Sequence, residues 1–161
     1  MTNMLKYLSE NCKHIISGDV SFVDDKLCPG YSDIARRDLI ELTYLASLER
    51  PSKATLIMVG SIFETILYCF LKRNESYIRN EIGNPKFFIR DSDWLLPYLQ
   101  IFKRYFGGFG IDRFPDDIVD YRDIVHAEAE IKRMIRISDS EVKQALLHLD
   151  HAIDSFNSFP Y

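Results

Sequence analysis

The chain has 161 residues, of which 47% are hydrophobic and 27% charged, the size and composition of one soluble globular domain. Its net charge of −4 at pH 7 argues against a protein that coats nucleic acid without specificity, but it leaves room for a local basic patch. Three cysteines without a CxxC pair (Cys12, Cys28 and Cys69) favour reduced thiols over a disulfide framework or a zinc site. The first residues lack the apolar run of a signal peptide, so we expect a cytoplasmic protein.

Apolar residues recur at helical spacing along most of the chain, and glycine and proline mark the breaks. The clearest breaks are 28–30, 83–85 and the glycine-rich stretch 107–110. Ser138 and Glu141 have the spacing of a capping box, which predicts the start of the last helix. These signals together predict helices over 4–16, 31–48, 51–80, 93–106, 115–132 and 138–157.

Strand-like alternation is weak everywhere, and the stretch that most resembles a strand, 87–89, is too short to build a sheet. We find no internal repeat and no linker that would separate domains. The sequence therefore predicts a single all-α domain over 1–161, built as a bundle of four main helices with one or two shorter ones.

The stretch 54–71 is apolar enough to be tested as a membrane span, because its eighteen residues carry a single charge, Glu64. A carboxylate near the middle of a span would be costly in lipid. We therefore expect the central buried helix of the bundle and no membrane partner. The apolar neighbours of Glu64 predict that its carboxylate is partly buried and needs a partner, for which Arg122 and His126 are candidates.

The segment DYRDIVH places Arg122 and His126 four residues apart on a predicted helix. On a helical wheel they lie along one edge of the apolar stripe that contains Tyr121 and Val125, where a groove or a dimer interface would form. Arginine offers a planar fork of donors to phosphate oxygens, and histidine exchanges a proton near neutral pH. The pair could therefore cleave RNA without a metal, and a symmetric dimer would supply two such pairs.

A GSIFE turn in a long apolar helix, the later DYRDIVH and a capped last helix together resemble the HEPN (higher eukaryotes and prokaryotes nucleotide-binding) superfamily. The resemblance extends over about 31–156 and implies an antiparallel four-helix core with an extra helix. In the nuclease members an arginine, a following polar residue and a histidine share one helix, which Arg122, Asp123 and His126 match here. Glu64 matches the acidic position on the earlier core helix. Such proteins are often toxin or defence components with a neutralising partner.

The spacing departs from the family pattern, because three residues separate Arg122 from His126 where the catalytic members have four to six. Two hypotheses follow. In the first, the chain is a metal-independent ribonuclease that acts as a homodimer without a cofactor, with Asp123 and Glu64 orienting the catalytic pair and Tyr121 positioning the substrate. In the second, it is a non-catalytic helical module that binds a partner protein or a nucleotide, and the same cluster is a structural polar network.

Basic residues occur in clusters that either solvate helix ends or bind a phosphate backbone. One cluster follows His126 and would guide RNA to it: Lys132, Arg133 and Arg136. The clusters at 72–73 and 103–104 have the same two interpretations. Aromatic residues near the latter (Tyr105, Phe106 and Phe109) would stack bases or pack in the core. Asp123 and His126 have the spacing of a metal-binding pair, but no second motif of this kind accompanies them. His148, His151 and Asp154 could share part of a helix face and are expected to be solvated, so we predict no metal site.

Overall fold

The computed structural model describes residues 3–48, 53–90, 95–107, 121 and 137–160. Within those ranges the chain is all-α, as the sequence predicts, and contains no strand. The helices described there are α1 (Asn3–Asn11), α2 (Lys13–Ser17), α3 (Tyr31–Ser47), α4 (Lys53–Arg73), α5 (Glu75–Ile82), α6 (Leu95–Phe106) and α7 (Asp139–Asn157). The predicted helix 115–132 lies outside the described residues except for Tyr121. The antiparallel four-helix core therefore stays a prediction.

Helix α4 lies at the centre of the packing and contacts α3, α5, α6 and α7. Helix α7 also packs against α1 and α2. The last helix thereby connects the two amino-terminal helices to α4. Aromatic rings fill the junction between α4 and α7. Phe70 stacks on Phe156 with centroids 4.2 Å apart, and Phe106 meets Phe70 edge-on at 5.0 Å. Stacked and edge-to-face pairs of this kind add to the free energy of burial.

Three helix boundaries follow the predicted signals. Gly30 precedes α3 with φ +79°, and Gly83 follows α5 with φ +66°, a left-handed conformation that a residue with a Cβ adopts at a cost. The hydroxyl of Ser138 accepts the backbone N–H of Glu141 at 3.2 Å, which caps α7. Glycine and the capping serine thus end or begin helices where the sequence indicated.

The prediction of one continuous helix over 4–16 is wrong. The helix is interrupted at Cys12, and the segment forms two helices, α1 and α2. The reason is a tertiary contact. Asp150 of α7 accepts the backbone N–H groups of His14 and Ile15 at 2.7 and 2.8 Å. These are the N–H groups at the start of a helix that have no partner within it. A carboxylate from α7 therefore caps a new helix start where periodicity alone predicted an uninterrupted helix.

The predicted helix 51–80 is likewise two helices, α4 and α5, separated by Asn74. The side-chain amide of Asn74 donates to the carbonyl of Phe70 at 2.8 Å, and its backbone N–H donates to the same oxygen at 3.1 Å. Asparagine side chains that bond to nearby backbone groups compete with regular helix geometry. The residue leaves the helical conformation, and α5 begins at Glu75.

Helix α4 is long and apolar enough to cross a membrane by length and composition, and it alone passes this test among the described residues. Of its most apolar window, 67% is buried inside the protein. The core helix of a soluble protein passes the same test, so the length and composition of α4 are weak evidence for a span. Cys69, which belongs to α4, is buried.

Candidate functional site

The residues of the predicted site fall into two groups. Glu64 and Tyr121 belong to the part of the chain that the structure describes. The others lie outside the described residues: Arg122, Asp123, His126, Lys132, Arg133 and Arg136. The geometry of the Arg–His pair, and its distance from Glu64, therefore stay predictions.

Glu64 lies near the middle of α4 and is half-buried, which confirms the partial burial expected from its neighbours. Ile62 and Phe63 before it and Ile66 and Leu67 after it are all inaccessible to solvent. A carboxylate at the rim of such a surface is only partly hydrated, and its charged form depends on polar or positive groups nearby. This is a suitable environment for a residue that orients a cation or an imidazole.

Tyr121 is helical and 4% exposed, as expected for a member of the apolar stripe of its segment. Its role in positioning substrate stays a prediction. Because the ring is buried, we expect that role to act through the residues that Tyr121 holds in place, with little direct contact between its ring and RNA.

Both residues of the basic cluster at 72–73 form hydrogen bonds with other groups of the protein. Lys72 donates to Glu75 at 2.7 Å and to the carbonyl of Ile89 at 3.4 Å. Arg73 donates to the carbonyl of Phe22 at 2.8 Å. Both residues lie in the last turn of α4, where cations also complement the helix dipole. These contacts favour the structural interpretation of this cluster over contact with a phosphate backbone.

The second cluster, Lys103 and Arg104, is exposed in the last turn of α6. Arg104 lies over the ring of Tyr105, with 5.5 Å between its guanidinium carbon and the ring centroid. Phe106 is fully buried and belongs to the core, which settles its two interpretations in favour of packing. Phe109 lies outside the described residues.

His151 and Asp154 of α7 lie in different surroundings. Asp154 lies with its Oδ1 3.0 Å from Nε2 of His14, a residue of α2, while His151 is exposed. No three His, Cys, Asp or Glu side chains converge on a position for a metal ion anywhere in the described ranges.

Sequence reasoning missed an ion-pair cluster centred on the buried residue Glu75. Its carboxylate accepts Lys72 at 2.7 Å, the backbone N–H of Ile89 at 3.1 Å and the guanidinium of Arg79. Arg79 also donates to the carbonyl of Phe87 at 2.6 Å. Burial acts to raise the pKa of Glu75, but the hydrogen bonds and the two positive charges outweigh it, so this pKa lies below its ordinary value. The cluster ties α4 and α5 to the segment 87–89.

A second missed feature is Asp150, which is 3% exposed and caps α2 from the middle of α7. A signal for it exists in the sequence. Asp150 occurs four residues after Leu146 and three before Ile153, on the apolar face of α7. A carboxylate at such a position is expected to have buried donors as partners.

The third missed feature concerns two buried thiols. Cys28, in the turn before α3, and Cys69 of α4 are 2% and 1% exposed. The pKa of Cys28 is lowered, chiefly by the side chain of Cys69, and the pKa of Cys69 is raised, chiefly by the side chain of Cys28. Their separation in sequence gave no signal of this mutual effect.

Comparisons of the chain with protein-family models, with curated proteins and with solved structures found no match.

Proposed function

We propose that this chain is a metal-independent endoribonuclease of the HEPN type that acts as a homodimer. The proposal is supported by the DYRDIVH segment, by the all-α fold, and above all by Glu64. This ionisable residue is half-buried in the apolar central helix, at the position that the resemblance assigns to the acidic partner of the Arg–His pair.

In the proposed reaction the 2′-hydroxyl of a ribose attacks the adjacent phosphorus while the bond from phosphorus to the 5′-oxygen breaks. His126 takes the proton of the 2′-hydroxyl or returns one to the leaving oxygen, and the second copy of the chain supplies the complementary step. Arg122 holds the phosphate and stabilises the charge that develops on it. Asp123 and Glu64 orient the two residues. The products carry a 2′,3′-cyclic phosphate and a 5′-hydroxyl.

The substrate is held by charge as well as by the catalytic pair. Lys132, Arg133 and Arg136 follow His126 in sequence and would contact the phosphates that flank the scissile bond. Because the chain is acidic as a whole, these residues would restrict binding to one surface. We propose further that the protein acts in the cytoplasm as a toxin or defence component, and that a partner protein neutralises it.

One observation favours a second function, a helical module that binds a protein or a nucleotide without catalysis. The three-residue spacing between Arg122 and His126 is shorter than in the catalytic members that the motif resembles. In this case the Arg–His–Glu cluster is a polar network that stabilises the fold. Loss of Arg122 would then remove a cation from the half-buried carboxylate of Glu64 and cost up to about 3 kcal/mol.

The test compares two histidine variants. His126→Ala is expected to abolish RNA cleavage and leave the melting temperature unchanged, because the residue acts on substrate. His151→Ala, at an exposed position of α7, is the matched control and is expected to cleave at the wild-type rate. Cleavage by purified His126→Ala at the wild-type rate would refute the assignment. A large loss of melting temperature in Arg122→Ala, with no cleavage by wild type, would favour the binding module.

A further inference from the structure

An open cavity of about 530 Å³ is lined by residues of α5 and of the turn that follows this helix. The lining residues are Ser76, Arg79, Asn80, Gly83 and Pro85. The first three carry polar side chains three and four residues apart, so they lie on one face of α5. Small-molecule sites in proteins have volumes in this range. The cavity is therefore large enough for an organic ligand, and its polar side chains decide which chemistry it accepts.

Hydrogen bonds hold the turn that forms one wall of the cavity. The N–H of Gly83 donates to the carbonyl of Asn80 at 3.1 Å, and the N–H of Asn84 donates to the carbonyl of Arg79 at 3.2 Å. The N–H of Lys86 donates to the side-chain oxygen of Asn84 at 3.0 Å. The first two bonds also occupy carbonyl oxygens at the end of α5, which would otherwise be unpaired acceptors. The cavity is thus formed before any ligand enters it.

Arg79 is the cation of the cavity, and its neighbours fix its orientation. Its Nε donates to the carbonyl of Phe87 at 2.6 Å, and its Nη2 donates to the carboxylate of Glu75. Within the described ranges no acceptor takes the N–H groups of Nη1. The side chain is 37% exposed, so these groups can reach a ligand. A guanidinium that is already held in place loses little conformational freedom when it binds an anion.

The carboxylate that orients Arg79 does not cancel its charge. Glu75 also accepts Lys72 at 2.7 Å, so one carboxylate serves two cations and the group keeps one net positive charge. Among the described residues that line the cavity, none is acidic. Lys86, which follows Pro85 in the turn, is exposed and adds a positive charge nearby. The electrostatic environment therefore favours an anionic ligand.

Two neutral donors accompany the guanidinium. The hydroxyl of Ser76 and the side-chain amide of Asn80 form no hydrogen bond with other groups in the part of the chain that the structure describes. Both residues are exposed, so their side chains are accessible to a ligand. A hydroxyl and an amide can each donate to an oxygen of an anion. Together with Arg79 they provide donors from three side chains in one cavity.

We propose that this cavity binds a phosphate monoester, with Arg79 as the ionic partner of the phosphate and with Ser76 and Asn80 as further donors. Three donor side chains match the three terminal oxygens of a phosphate monoester, whereas a carboxylate has only two oxygens. The organic part of the ligand would occupy the volume beside Gly83 and Pro85. This inference does not depend on the ribonuclease.

The experiment titrates ribose 5-phosphate into the ¹⁵N-labelled full chain and follows the backbone amide signals by NMR. Saturable shifts are expected at the residues that line the cavity, chiefly Ser76, Arg79, Asn80 and Gly83. Ribose, which lacks the phosphate, is the matched control ligand and is expected to cause no such shifts. Inorganic phosphate is expected to compete for the cavity but to bind more weakly, because it lacks the organic part.

Substitutions at exposed positions test the donors without disturbing the fold. Asn80→Ala removes one donor and is expected to weaken binding about threefold, while Asn80→Asp places a carboxylate beside the phosphate and is expected to weaken it more than about tenfold. Ser76→Ala is expected to resemble Asn80→Ala. Arg79→Ala is expected to abolish binding, but it also removes a partner of Glu75, so its fold is checked by circular dichroism. Arg36→Ala, at an exposed position of α3, is the charge-matched control and is expected to bind as wild type does.

The proposal is overturned if ribose 5-phosphate causes no saturable shifts, if ribose shifts the same amides equally, or if Asn80→Asp binds as tightly as wild type. Shifts confined to 122–136 would place the phosphate in the proposed ribonuclease site and refute the cavity as its site. Equal affinity for inorganic phosphate would refute an organic ligand. A 5′-phosphorylated RNA trinucleotide distinguishes two sources of the monoester. Tighter binding than ribose 5-phosphate would identify an RNA end, and weaker binding would identify a free small molecule.

Discussion

Replacing Glu75 by alanine removes the carboxylate that holds three donors at the junction of α4, α5 and the segment 87–89. Lys72 and the backbone N–H of Ile89 bond to one carboxylate oxygen, and Arg79 bonds to the other. The side chain of Glu75 is 10% exposed, while those of Lys72 and Arg79 are 26% and 37% exposed. In the variant the two cations can partly reach water, but the N–H of Ile89 remains in a buried region.

The magnitude follows from these contacts. A buried N–H without a partner costs about 1–3 kcal/mol, and loss of the partly exposed ion pairs adds about 1 kcal/mol. We expect Glu75→Ala to lower the free energy of unfolding by about 2–4 kcal/mol, which corresponds to a fall of roughly 5–15 °C in melting temperature for a domain of this size. Glu75→Gln keeps an oxygen for the N–H of Ile89 and is expected to lose about half as much.

The same cluster predicts a pH dependence with a definite sign. The pKa of Glu75 is lower in the folded protein than in the unfolded chain, so the unfolded chain binds more protons between the two values. The contribution of Glu75 is therefore fully present above the unfolded pKa and is lost as the pH falls through the folded pKa. The difference in stability between wild type and Glu75→Gln should shrink as the pH is lowered from 7 towards 3.

Urea denaturation followed by far-ultraviolet circular dichroism measures both effects. Glu81→Ala is the matched control, because Glu81 lies on the same helix and is exposed. We expect it to change the free energy of unfolding by less than about 0.5 kcal/mol. Equal losses in Glu75→Ala and Glu81→Ala, or a difference between wild type and Glu75→Gln that does not depend on pH, would show that this cluster does not stabilise the fold.

Two further substitutions test the helix starts. Asp150→Ala leaves the partly buried N–H of His14 and the buried N–H of Ile15 without their acceptor and should lower the free energy of unfolding by about 2–4 kcal/mol. Asp150→Asn keeps one acceptor oxygen and should lose less. Equal losses in the two variants would argue against the cap. Ser138→Ala removes the cap of α7 and should cost about 1 kcal/mol by urea denaturation, while Ser140→Ala, at an exposed position in the first turn, should cost less than half as much.

The helix boundaries that proved predictable are those fixed by local chemistry. Gly30 and Gly83 adopt the left-handed conformation that glycine permits, and the Ser138 hydroxyl finds an N–H three residues ahead. The breaks at Cys12 and Asn74 were missed because the apolar pattern continues through both. At Cys12 the decisive group, the carboxylate of Asp150, lies far away in sequence and comes near only through packing.

In the candidate site, too, the features fixed by local sequence could be predicted and those fixed by packing could not. The partial burial of Glu64 could be predicted, because its neighbours on α4 are apolar at helical spacing. The mutual effect of Cys28 and Cys69 on their pKa values could not, since it depends on how the turn before α3 packs on α4. The arrangement of Arg122 and His126 depends in the same way on packing between segments, and the motif alone does not fix it.

The most direct test of the proposed ribonuclease is the chemistry of the RNA ends that it produces. Purified wild-type protein is incubated in EDTA with a mixture of single-stranded RNA and transfer RNA, and the cut ends are analysed. We expect fragments with 2′,3′-cyclic phosphate and 5′-hydroxyl ends, because in the proposed reaction His126 and Arg122 would act on the phosphate without a metal. Intact RNA over a wide range of protein concentration, or fragments with 3′-hydroxyl ends, would contradict it.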